Sequence, residues 1–161
     1  MESRWLDDRE QRAWWAFLDL WRGLGAGMER QLADSGVSGA DFQVLAPLGE
    51  ASGEPLRPRD LSAATGWDRS RLAHQLRRME RRGLITRQEH PDDGRGTLVR
   101  LTDAGWKALR QAAPGHVAWV RTHFIGLLSD DELEMLTAIS ARVLAGLDRP
   151  SEDGAADRAL N

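Results

Sequence analysis

The chain has 161 residues, a formal net charge of −3 and no cysteine. That length holds one domain with a real core, or a small nucleic-acid-binding unit joined to a dimerisation unit. The lack of cysteine excludes disulfides, thiolate metal sites and thiol-based redox sensing. It fits a cytoplasmic location, as do the absence of an apolar run of about 18 residues and a start (Glu2, Arg4, Asp7, Asp8) unlike a secretory signal.

Residues from about Asp7 to Asp34 are expected to form one long amphipathic helix. Trp14, Phe17, Leu18, Trp21, Leu24, Met28 and Leu32 recur at helical spacing. Gly23, Gly25 and Gly27 weaken its middle, and fit close approach of another helix. Trp5, Trp14, Trp15 and Trp21 are more aromatic surface than one helix of a small monomer buries, which predicts a dimer interface. Ser38 and Asp41 read as the start of a short helix carrying Phe42, Val44, Leu45 and Leu48, which Pro47 should bend or end. A loop through residues 51–56 follows. Pro58 suits the first turn of the next helix, which runs to Thr65 and stops at Gly66. Arg57 and Arg59 lie near its N-terminus, where a phosphate is readily bound.

From Arg69 to Arg82 there is neither proline nor glycine, and six arginines face one acid, Glu80. At 100° per residue, Leu72, Leu76 and Met79 share a stripe about 60° wide. Gly83 extends that stripe and can end the helix in the left-handed conformation. Arg71, His74, Gln75, Arg78 and Arg82 share a different face, about 100° wide. One face suits a core. The other offers the cations and hydrogen-bonding groups that read base edges in a major groove.

Two β-prone runs follow, Leu84–Arg87 and Thr97–Leu101. The eight residues Glu89–Gly96 between them include Pro91, Asp93, Gly94, Arg95 and Gly96, which mark a hairpin tip. Arg95, between two glycines, can reach out to a minor groove, and Asp93 can orient its guanidinium. Between Arg57 and Arg100 eleven arginines stand against six acids, a net +5. The rest of the chain holds eleven basic and nineteen acidic residues, a net −8. The positive charge therefore sits on the helix and hairpin.

The stretch Trp67–Leu76, with Arg78–Leu84, Asp93–Gly96 and Leu98–Thr102, resembles the MarR family of bacterial transcriptional regulators. The resemblance implies a mainly α fold with a small β-wing. Residues 38–102 would be a winged helix-turn-helix, and residues 5–36 and 103–148 a helical dimerisation region. It also implies a homodimer that binds a palindromic double-stranded DNA operator and often releases it on binding a small ligand. Ser70, Arg71, His74 and Gln75 would then contact the major groove. Arg69 and Arg78 would contact phosphates, and Arg95 the minor groove. Repression is the family's usual sign. Regulators of this build resemble sensors with a cleft. Trp14, Trp15, His116, Trp119 and Arg121 are the residues suited to line it, and a flat aromatic or phenolic acid is the expected ligand.

After the wing, Thr102 and Asp103 should cap a helix from about Ala104 to Leu127 or Leu128, kinked or broken at Pro114-Gly115. Ser129 to Glu132 is a capping box for a last helix that Pro150 ends. Residues 149–161 are expected to be a disordered tail. No phosphate-binding glycine loop, nucleophile elbow or metal-spaced cluster is visible. The spacing of His116 and His123 is ordinary for packed or solvated histidines. Neither an enzyme nor a cofactor is therefore expected. A second reading keeps the same residues in a helical small-molecule-binding or scaffold protein whose basic stretch meets an acidic protein partner.

Overall fold

The computed structural model describes residues 5–90 and 93–147, with only the backbone at positions 90 and 93–95. The described residues pack as two compact units, one within Met1–Trp119 and one within Val120–Asn161. The 149–161 tail and the hairpin tip at 91–92 lie outside the described residues.

The first unit begins with α1, Asp8–Ala33. Asp7 caps it and Glu10 returns the bond to the Asp7 amide, which satisfies both ends of a capping box. Helices α2 (Gly39–Glu50), α3 (Pro58–Thr65) and α4 (Arg69–Arg81) follow. Val44, Leu45, Leu48, Leu61, Leu72, Leu76 and Met79 from these three helices form the centre of the core. Pro47 does not end α2, which continues to Glu50. A proline removes one helix bond, and here that loss falls in the final turn, next to the buried Leu45 and Leu48 that hold the helix down.

Strands β1 (Ile85–His90) and β2 (Asp93–Leu101) form an antiparallel pair from Ile85↔Leu101 to His90↔Asp93, with an irregularity after Glu89. The hairpin is thus longer, and its tip shorter, than the eight-residue turn expected from sequence. Leu56 joins its base, exchanging two backbone hydrogen bonds with Val99.

Helix α5 (Asp103–His123) passes through Pro114 without interruption, so the expected break does not occur. Packing on both sides of the proline explains this. Ala112 is fully buried, Gly115 abuts Gln31, and Trp119 lies on Gly27 so closely that a Cβ there would collide with the indole. Gly27 is therefore the glycine of α1 that permits close approach; Gly23 and Gly25 face open space. α5 ends at His123, short of Leu127, and a single 3-10 turn covers Ile125–Leu127.

In the second unit α6 spans Asp130–Leu147 behind the Ser129–Glu132 capping box. None of its residues is buried. Among the described residues no helix is long and apolar enough to cross a membrane.

Candidate nucleic-acid interface

The α3–α4 turn is built around Gly66, at φ 67°, a left-handed conformation that glycine adopts without strain. Asp68 then caps α4, its carboxylate accepting from the Ser70 and Arg71 amides, each at 2.9 Å. The bond from the Arg71 amide, with that from Ser70, holds the Asp68 carboxyl below the ordinary value. Leu72, Leu76 and Met79 turn into the core as their spacing predicts. Gly83, at φ 70°, ends the helix region.

The solvent face differs from the sequence expectation. Ser70, His74, Arg77 and Arg81 are all exposed. At 100° per residue they share a strip about 60° wide, about 160° from the buried stripe. Arg69 and Arg71, also exposed, flank it in the first turn. The expected face through Gln75, Arg78 and Arg82 instead turns toward the N-terminus of α2. Gln75 is only 6% exposed, and its Nε2 donates to Asp41 Oδ1 at 2.7 Å. It is therefore corrected from a groove contact to a buried polar link. The reason is angular: Gln75 lies about 40° from Met79, at the edge of the core stripe.

Asp41 itself is fully buried. Arg82 Nη1 donates to it at 2.5 Å, and the Ser38 amide at 3.2 Å. Arg78 Nη2 lies 3.7 Å from it and 3.5 Å from Ser38 Oγ. Burial pushes the Asp41 carboxyl up. The bonds from Arg82 and Ser38 and the charge of Arg82 outweigh that push and hold it below the ordinary value. Arg78 and Arg82 are thus engaged with the protein, though each side chain keeps 43% of its surface exposed.

Glu80, the one acid of α4, is paired with Arg87 of β1, whose Nε donates to it at 3.0 Å. That bond holds the Glu80 carboxyl below its ordinary value and raises the Arg87 guanidinium above its own. His74, Arg77, Glu80, Arg81 and Arg87 line a concavity of about 480 Å³ between the helix and the hairpin. With Glu80 neutralised, its wall is cationic. Arg59 is exposed and ion-paired to Asp60 at 3.3 Å; Arg57, half-buried, occupies the N-cap of α3. The side chains of Asp93 and Arg95 lie outside the described residues; their backbone belongs to β2.

The residues expected to line a ligand cleft are only partly brought together. His116 packs against Phe42 with the ring planes tilted by 49° and centroids 4.5 Å apart, and Trp119 packs on Gly27. Trp14 and Trp15 are half-exposed, Trp14 stacking on Phe17. Arg121 belongs to the second unit. Burial lowers the His116 imidazole below its ordinary value. Its Nδ1 and Gln31 Oε1 are buried without a hydrogen-bond partner.

Reading the sequence missed Arg77, Arg81, Arg87 and Asp41. For the two α4 arginines the signal was available, since positions opposite a core stripe face solvent. For Asp41 the Ser38-x-x-Asp41 spacing announced a cap, but no local pattern announced burial against a helix 34 residues away.

Comparison with known proteins agrees with this geometry. The MarR family model matches residues 35–96. The crystal structure of AbsC, a MarR family transcriptional regulator from Streptomyces coelicolor, is 39% identical with a TM-score of 0.86, covering 90% of this chain and 98% of that one. Sco3205, a MarR family regulator from the same organism solved in complex with DNA, is 36% identical with a TM-score of 0.87, covering 94% of each chain. Transcriptional repressor MprA of Escherichia coli is 28% identical over 137 residues, 82% of this chain and 74% of that protein. The chain belongs to the MarR family of transcriptional regulators.

Proposed function

We propose that two copies of this chain bind a palindromic duplex, with the N-terminal half of α4 in the major groove and the hairpin as a wing beside it. The observation that carries this reading is the exposed face of α4, with Arg69, Ser70, Arg71, His74, Arg77 and Arg81 and an acid already neutralised by Arg87. Ser70, Arg71 and His74, nearest the N-terminus, are the base readers. Arg69, Arg77 and Arg81 neutralise phosphates, with Arg57 and Arg59 beside the N-terminus of α3. Arg78 reaches a phosphate only by leaving Asp41. Arg95 serves the minor groove, and Asp93 orients it. Sco3205, solved in complex with DNA, supports DNA binding by this fold.

Salt dependence tests it. Each phosphate contact removed should reduce the slope of log K against log salt by about 1. Arg77→Ala and Arg81→Ala should each do so, with affinity lost uniformly across sequences. A slope unchanged in both variants would take this face off the DNA.

We also propose that the regulator is a ligand-responsive repressor. Support comes from the unpartnered His116 Nδ1 and Gln31 Oε1, and from the relative named a repressor. An aromatic carboxylic acid can stack on Phe42 or Trp119 and bring a polar edge to these atoms. Hydroxybenzoic acids titrated against tryptophan fluorescence should bind, and operator DNA should weaken that binding. By reciprocity, a tenfold effect corresponds to about 1.4 kcal/mol of coupling. Equal affinity with and without DNA would leave a pocket but no switch.

A further inference from the structure

We infer that Trp67 is a specificity-determining positioning residue, holding Arg71 in the plane from which it reads a base. The inference rests on the DNA-binding reading above. The Arg71 guanidinium lies over the Trp67 ring, 4.4 Å from its centroid. The indole is 8% exposed, and the backbone on both sides of it is anchored. The Trp67 amide donates to Thr65 Oγ1, and its carbonyl accepts from Ser62 Oγ, both from the end of α3. One residue on, Asp68 fixes the Arg71 amide. Arg71 is therefore held at both ends: its backbone by the helix cap, its head by an aromatic platform that belongs to the core.

This arrangement suits one task. A guanine presents two acceptors in the major groove, and an arginine fork meets both at once only when its plane is correctly turned. A free arginine must be ordered on binding, while a stacked one is ordered beforehand. Trp67 need not touch DNA to sharpen the choice of base, and it contributes no charge of its own.

The test is base-resolved binding by the full-length protein to its selected site and to every single-base variant of it. Arg71→Ala should remove at least tenfold of discrimination at one base pair in each half-site. Trp67→Leu should lower discrimination at that same base pair by about threefold to fivefold. Trp67→Phe, which keeps a ring face, should stay close to the parent. In an Arg71→Ala background, Trp67→Leu should have no further effect on specificity. Arg71→Lys covers the event that Trp67→Leu does not fold: it should keep the salt slope and lose the preference. A uniform loss across all sites, a loss at another base pair, additive effects in the double variant, or an unchanged preference in Arg71→Lys would each overturn the inference. A parent protein with no preferred sequence would overturn it together with the DNA-binding reading. An effect of Arg71 that ignores Trp67 overturns the inference alone.

Discussion

Arg82→Met is expected to cost the fold about 2 kcal/mol, less than breaking a fully buried ion pair, because the Arg82 side chain keeps 43% of its surface exposed. The variant leaves a fully buried carboxylate, Asp41, without its 2.5 Å partner. Arg78 and Gln75 remain nearby and keep the loss from being larger. Asp41→Asn should cost less, about 1 kcal/mol, because it removes the buried charge and releases Arg82 toward water. Urea unfolding of both single variants and the double variant measures the coupling. Acid separates them further. The folded Asp41 carboxyl titrates below the ordinary aspartate value of 3.8. Its contribution is therefore complete above the unfolded value, and is lost as pH falls through the lower folded one. The parent's acid limb should be steeper than that of Asp41→Asn. Equal limbs would mean that the carboxylate is not held by Arg82 in solution.

Leu144→Asp is expected to have the largest effect on DNA. α6 has eighteen residues and buries none of them, and Met135, Ile139, Val143, Leu144 and Leu147 are all exposed, Leu144 to 60%. α1 likewise exposes Trp14, Trp15, Phe17, Leu20 and Trp21. Apolar faces of this extent mark interfaces, and on each helix we assign the face to a second copy of the chain. An aspartate at position 144 disturbs little packing within the single chain, yet it places a charge in an interface core. Sedimentation should show the parent at twice the chain mass and the variant at once. DNA affinity should fall by about 10² or more, because two linked readers become two separate ones. A variant that remains dimeric with unchanged affinity would move the interface elsewhere.

The sequence made local structure legible wherever one periodicity or one cap decided it. The Leu72, Leu76 and Met79 stripe, Gly66, Gly83 and the Ser129 capping box all appear where their spacing puts them. Pro47 and Pro114 do not end their helices, because a local penalty of a few kcal/mol is outweighed when neighbouring residues such as Leu48 and Ala112 are buried. The solvent face of α4 was misplaced because a helical wheel orders residues by angle but does not say where the core ends. Gln75 falls at that boundary, and a carboxylate 34 residues earlier decides its direction. The burial of Asp41 against α4 and the pairing of Arg87 with Glu80 are tertiary, and composition and spacing carry no trace of them, whereas the Trp67–Arg71 stack joins residues only four apart.

In the proposed complex a dimer reads DNA through two copies of α4. The most direct measurement is selection of bound duplexes from a random-sequence pool by the full-length protein. An inverted repeat is expected, with half-sites centred about one helical turn apart or a multiple of it. No enriched sequence, or a single motif without its inverted partner, would contradict it.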